Sequence, residues 1–278
     1  MVIKGNTISF NALYNAIPPD PESMVTDFWK EKIAEITRDF LPQPPPNFLQ
    51  QGTIVYTMFA ATVHPQEVEF LQKHLGKRDA AIHLEEDAYG QASTVRAAYA
   101  DTSGNRIHHL YHFIRYQEET GSIPHNVFEF GGGYCGMARL HRRFCGPDST
   151  YIVTDLRILS CLQYDYLSTI LGAEAVNIIT TKGQAIEPGK INIVPLSLLD
   201  STKGVEAELF LSTWGISEAP KTVQDYVIEK NLFGAKKVLM ARQGTCGPFP
   251  AAGDIENMVD GGKSIEIDFL PGNFYFFK

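Results

Sequence analysis

The sequence predicts an α/β protein with a mainly helical first part, residues 1–121, followed by a mainly parallel sheet covered by helices, residues 122–278. Three observations carry that reading. Before Gly121 the apolar residues recur at helical spacing, beside recognisable helix starts and stops. After it, short apolar runs alternate with helical stretches, which is the pattern of a parallel sheet with both faces covered. At the end, two apolar runs flank Pro271-Gly272-Asn273, and strand, tight turn, strand reads as an antiparallel hairpin.

The elements follow in order. Asp20-Pro21-Glu22 reads as a helix start: a capping Asp, Pro at the first helical position and an acid in the first turn. Val25, Trp29, Ile33, Ile36 and Phe40 then fall on one helical face, and the PQPPP run at 42–46 turns the chain. The stretch 47–63 is open between helix and strand. Pro65 starts the next helix, with Val68, Leu71 and Leu75 as its stripe and Gly76 as its stop. Residues 105–120 form a third, with Ile107, Leu110, Tyr111 and Ile114 apolar and Gly121 ending it. Strands are then expected at 127–130, 151–155, 191–196, 208–213 and 237–242. Helices are expected at 137–144, 156–171 and 222–232, and the hairpin takes 264–270 and 274–277.

The chain has 278 residues and a formal charge of −8. That acidic balance argues against nucleic-acid and anionic-membrane partners, because neutralising phosphates needs clustered Lys and Arg. Arg139, Arg142 and Arg143 are the nearest basic group and read as the solvated face and last turn of one helix. No apolar run approaches the ~20 residues of a membrane span, and residues 1–15 lack the apolar core of a signal peptide. Four cysteines without a C-x-x-C pair read as reduced thiols. The expectation is a cytoplasmic protein acting on a small molecule.

The most informative stretch is VFEFGGGYCGMARLHRRF at 127–144. Gly131, Gly133 and Gly136 satisfy G-x-G-x-x-G between an expected strand and an expected helix. Missing side chains let backbone approach a ligand, and the helix N-terminus offers free N–H groups. Asp155 ends the next strand, 19 residues after Gly136, where an acid accepts hydrogen bonds from ribose hydroxyls. Glycines serving only a tight turn are the weaker reading in this context. Two ribose-bearing ligands fit: a dinucleotide and S-adenosylmethionine. Glu129, two residues before Gly131, suits a cofactor carrying an ammonium and a sulfonium and would repel a pyrophosphate. The closing hairpin after five strand–helix steps points the same way.

Over about 122–278 these residues resemble the class I S-adenosylmethionine-dependent methyltransferases. More narrowly, EFGGGYCGMARL, YIVTDLRILSCLQYDYLSTIL and ELFLSTWGISE look like the sugar O-methyltransferases of bacterial polysaccharide loci. That family shows an EIGGGYGG-type loop, a strand ending in Asp-Leu before a Leu-Gln-Tyr-Leu-rich helix, and a strand followed by an aromatic and Ser-Glu. Three features depart from the pattern: Cys135 at a position commonly held by a small glycine-type residue, Arg157 in place of the usual Pro after Asp-Leu, and an insertion-like segment at 177–190.

The resemblance implies a Rossmann-like seven-stranded methyltransferase sheet, with residues 1–121 covering the cofactor and shaping the acceptor site. It implies that Glu129, Gly131, Gly133 and Gly136 meet the methionine part, with Gly132 and Tyr134 also in the cofactor site, and that Asp155 holds the ribose with Leu156 against the adenine. Ser197 and Leu198 would lie near the adenine edge, and Ser212, Thr213 and Trp214 would border the transferred methyl. The implied activity is methyl transfer to a hydroxyl, a sugar or glycosylated metabolite coming first. Such a hydroxyl needs a general base. Glu218 is the first candidate, weighed against a capping or solvent-facing role. His108 and His112, four apart on one helix face, are the second, weighed against packing. Some sugar O-methyltransferases use Mg²⁺ held by carboxylates, for which Asp200, Glu218 and Asp254 are the candidates. A homodimer fits such enzymes, though no residue shows one. The rivals are an NAD-dependent oxidoreductase, a non-catalytic binding module of the same fold, and N- or C-methylation in place of O-methylation.

Overall fold

The computed structural model describes residues 8–60 and 62–278, so the reading of residues 1–15 falls partly outside the described residues. The first helix, α1 (Phe10–Ala16), is capped by Ser9, whose hydroxyl accepts from the Ala12 N–H at 3.3 Å. Helix α2 (Asp27–Phe40) starts six residues later than Pro21. The physical reason is that Asp20 does not cap its own helix. Its carboxylate accepts the Arg157 N–H at 3.0 and 3.1 Å, which caps a different helix more than a hundred residues away. Glu22–Met24 makes only a 3₁₀ turn, leaving Val25 extended.

The open stretch after the prolines contains a helix, α3 (Gly52–Met58). Next come α4 (Pro65–His74) and α5 (Lys77–Leu84), then a small antiparallel pair, β1 (Val95–Ala97) and β2 (Ala100–Thr102). Helix α6 (Gly104–Thr120) begins at Ser103, which accepts the Arg106 N–H, and ends at Gly121 with φ +83°. Every residue from Asn105 to Ile114 is buried. Such a helix lies inside the molecule, not on its surface.

The second part begins with β3 (Asn126–Phe130), α7 (Gly136–Cys145), β4 (Thr150–Asp155) and α8 (Arg157–Leu171). It continues through β5 (Val176–Ile178), β6 (Ile191–Pro195), β7 (Leu209–Thr213), α9 (Gly215–Glu218) and α10 (Lys221–Glu229). It closes with β8 (Lys237–Gln243), α11 (Asp254–Asn257), β9 (Lys263–Glu266) and β10 (Asn273–Phe277). The strand order is β5-β6-β4-β3-β7-β8-β10-β9. All neighbours pair in parallel except β10, which runs antiparallel to both β8 and β9. The fold is thus the expected Rossmann-like, mainly parallel sheet with a C-terminal antiparallel hairpin, with eight strands where seven were expected. The extra one is β5, three residues added at the edge beside Ile191–Ile193, where the segment read as an insertion begins.

Alternation along the strands sends Val127, Tyr151, Val153 and Leu211 to one face and Phe128, Phe130, Ile152 and Phe210 to the other. The first face shares a hydrophobic cluster with Leu13, Ile36, Leu71, Ile107 and Phe113 of the helical part. The three arginines of α7 are not a solvated face. Arg139 grips Asp87 at 2.9–3.1 Å, Arg143 donates to the carbonyls of Ile82, His83 and Glu85, and Arg142 donates to Gly146 and Gly189 carbonyls. They tie α7 to neighbouring loops.

Candidate active site

Strand β3 lies between β4 and β7, where the order of the sheet reverses. Open parallel sheets leave a crevice at that point, beyond the carboxyl ends of the strands. A cavity of about 400 Å³ occupies it. One wall is the glycine turn with Glu129, Asp155 and Leu156. The rest of the lining comes from α6 with His108 and His112, from Trp214 and Glu218, and from Trp29, Met58 and Phe59 of the helical part.

The glycine turn is shaped by close approach. Gly131 has φ +76°, and a Cβ there would lie 2.7 Å from the Gly215 Cα, so the turn after β3 packs backbone against backbone on the start of α9. A Cβ on Gly132 would meet Glu129 Oε2 at 2.8 Å. One on Gly136 would strike the His109 ring at 2.6 Å. Gly133, φ +55°, points its N–H at Asp155 Oδ2, 2.8 Å away. Cys135 starts α7 at φ +71°, a left-handed conformation that explains why glycine-type residues suit this position. Tyr134 is buried beside it. Its ring stacks on Phe59 at 5.6 Å, its hydroxyl accepts from Asn105, and burial pushes the phenol up to about 12.

Two buried acids face the cavity from this wall. Glu129 accepts the Tyr151 hydroxyl at 2.9 Å, and burial pushes its carboxyl up to about 8. Asp155 accepts the N–H groups of Leu156 and Gly133, both at 2.8 Å, and the Gln163 amide at 3.2 Å. Burial still outweighs those bonds and pushes it up to about 7. An ionised carboxylate has roughly four acceptor sites. Three are taken here, which leaves Asp155 room for one further donor.

The sequence-expected residues divide. Leu156, Thr213 and Trp214 line the cavity. Ser197, Leu198 and Ser212 do not. Beyond β6 the chain enters a 3₁₀ turn, Leu196–Ser201, that puts Leu196 on the wall, turns the Ser197 hydroxyl to the Pro18 carbonyl and sends Leu198 into the core. Ser212 is buried behind the wall, donating to the Phe130 carbonyl at 2.8 Å and accepting the Ile216 N–H at 2.9 Å. It pins α9 to the glycine turn. Trp214 sits at φ +65°, held by its indole N–H on Asn273 Oδ1 at 2.8 Å.

Also lining the cavity, Glu218 accepts the Trp29 indole N–H at 3.0 Å, and burial pushes its carboxyl up to about 7. His108 stacks on Trp214 with ring centres 5.3 Å apart, and its Nδ1 is bonded to Glu67. His112 pairs through Nδ1 with the Tyr275 hydroxyl, and its Nε2 is sealed from solvent without a partner. Burial holds the His112 and His109 rings well below the ordinary imidazole range. Sequence reasoning missed His109 and Glu67. A signal for Glu67 existed: it lies four residues before Leu71, which puts a carboxylate on the apolar stripe of α4.

The carboxylates proposed for Mg²⁺ do not converge. Asp200 is bonded to Lys230 at the surface and Asp254 begins α11, and neither lines the cavity. Among the described residues no group of three or more His, Cys, Asp or Glu is placed to hold a metal ion. No helix is long and apolar enough to cross a membrane among the described residues.

No protein-family profile matches the chain, and no curated protein does. Among solved structures the chain is similar to the pyocyanin biosynthetic protein PhzM, with a TM-score of 0.41 and 11% identity over 63% of this chain and 55% of that one. This chain therefore spans little more than half the length of PhzM. It is also similar to a SAM-dependent methyltransferase from Aquifex aeolicus, with a TM-score of 0.40 and 12% identity over 59% of this chain and 87% of that one. Cofactor-bound Rv0187 from MTB is similar with a TM-score of 0.43 and 10% identity over 84% of this chain and 97% of that one.

Proposed function

We propose that the protein transfers a methyl group from S-adenosylmethionine to a hydroxyl of a small, uncharged molecule, with sugars and glycosylated metabolites the first acceptors to try. The observation that carries this reading is that one cavity is lined both by a glycine turn flanked by Glu129 and Asp155 and by His108, His112 and Glu218. S-adenosylmethionine, when bound, supplies a methyl group on positively charged sulfur. Glu129 suits the cationic end, because a nearby positive charge favours the ionised carboxylate over the buried neutral acid. Asp155 retains one acceptor site for a ribose hydroxyl, and Leu156 and Leu196 offer apolar surface to a base.

The other lining residues would hold the acceptor and take its proton. Trp214, Trp29 and Phe59 give flat apolar surface, which sugar rings and other rings stack on. Among the described residues no lysine or arginine lines the cavity. A phosphorylated or carboxylated acceptor would find three acids and no countercharge there. The same composition disfavours a dinucleotide, whose pyrophosphate would sit against Glu129.

Calorimetric titration with S-adenosylhomocysteine and, separately, NAD⁺ tests this on the wild type and on Asp155→Ala. Expected is binding of S-adenosylhomocysteine alone, weakened tenfold or more by the substitution, about 1.4 kcal/mol, in a variant that still melts cooperatively. Binding of NAD⁺ instead would overturn the reading in favour of hydride transfer. Binding of neither would reduce the protein to a non-catalytic module of this fold.

A further inference from the structure

We infer that His108 receives the acceptor's proton and that Glu67, buried on α4, is the positioning residue that sets its tautomer; this rests on the methyl-transfer reading above. Glu67 is 0% exposed. Its Oε1 is bonded to His108 Nδ1, and its Oε2 has no partner. A carboxylate buried with one bond is a stability cost, for which α4 supplies no structural reason. A carboxylate only accepts, so the ring nitrogen facing it carries the proton and Nε2 keeps its lone pair.

The geometry separates His108 from its neighbours on α6. Its ring lines the cavity, is fixed by the Trp214 stack, and its Nε2 has no hydrogen-bond partner among the described residues. The Nε2 of His112 is sealed, and the His109 ring is turned against Gly136. In the step assigned to this pair, the acceptor oxygen bonds to the methyl carbon. The carbon–sulfur bond breaks with its electron pair staying on sulfur, and the hydroxyl proton passes to Nε2. Glu67 then faces an imidazolium and its charge is compensated.

The test uses the full chain labelled with ¹⁵N-histidine, with His108→Gln to assign the signal. Long-range proton–nitrogen spectra of the wild type should show His108 protonated on Nδ1 and bare on Nε2. In Glu67→Gln, whose amide can donate or accept, the two tautomers should mix. S-adenosylhomocysteine affinity should stay within twofold, and the melting temperature should hold or rise because a buried charge is gone. A structural pair predicts the opposite, a lower melting temperature. Protonation of wild-type His108 on Nε2, or an unchanged tautomer in Glu67→Gln, overturns the proposal. If that variant does not fold, the wild-type tautomer decides alone. Failure of the wild type to bind S-adenosylhomocysteine would instead remove the methyl-transfer reading, and the proton-acceptor role with it, while the spectra still report the pair.

Discussion

Glu129 makes the ligand reading testable by pH. With its carboxyl pushed up to about 8, it is largely neutral in the free protein at pH 7. A cation bound against it selects the ionised form, so binding expels a proton. The affinity for S-adenosylhomocysteine, which carries an ammonium, should therefore rise from pH 6 to pH 8. Calorimetry in two buffers of different ionisation enthalpy should detect proton release, and Glu129→Gln should flatten both. A pH-independent affinity across that range would place the cationic end elsewhere. The stability of the free protein moves the other way. Glu129 and Asp155 have folded-state values raised above their unfolded ones, so their contribution is complete below the ordinary carboxylate range and is lost as pH rises through about 7 and 8. Both acids were legible in the sequence because strand ends and a glycine turn fix where they point. Ser197, Leu198 and Ser212 were not, because a 3₁₀ turn and a buried serine bond depend on backbone detail with no periodic signature. Glu67 escaped because its partner lies 41 residues away.

At the scale of elements, punctuation and period together made the reading work. Helix α6 has a capping Ser and a glycine stop, α4 has Pro at its start, and each strand of the parallel set is a run of apolar residues beside a turn. Elements of three residues, such as β1, β2 and β5, are too short to carry a pattern. The misplaced start of α2 has a different cause: Asp20 serves a helix that sequence order does not reveal. The glycines distinguish two physical demands, which substitution can separate. Gly121 has φ +83° and open space around its missing side chain. Gly121→Ala should cost only the left-handed backbone penalty, about 1–2 kcal/mol. Gly131 shares that backbone need and also touches the Gly215 backbone, which cannot swing aside as a side chain would. Gly131→Ala should cost about 2–4 kcal/mol, adding overpacking to strain. Urea midpoints at unchanged slope measure both. Equal losses would mean that the turn yields, and that close packing on α9 is not what makes glycine necessary at 131.

For the molecule as a whole, the sequence changes character at Gly121 while the packing does not. Helix α6 is buried around its whole circumference, and its Ile107, Leu110 and Phe113 belong to one cluster with Val127, Tyr151 and Leu211 of the sheet. Polar ties cross the same boundary: Asp20 caps α8, Trp29 donates to Glu218, His112 meets Tyr275, and the α7 arginines hold residues 82–87. Every one of these joins a side chain to a partner far along the chain, which is why the composition of two segments did not reveal a shared interior. Removing residues 1–121 would uncover the sheet face that this cluster covers and strip one wall from the cavity. The isolated segment 122–278 should therefore lack a cooperative melting transition, bind a hydrophobic dye such as ANS and fail to bind S-adenosylhomocysteine. Should it melt cooperatively and bind that ligand, the helical part would be a separable cover over a self-sufficient sheet, and its contribution would narrow to the acceptor wall. The expected outcome carries a stronger consequence. Because α4 and α6, which carry Glu67 and His108, give Leu71 and Ile107 to the cluster that completes the sheet, folding of the helical part and assembly of the proton-accepting pair would be one event.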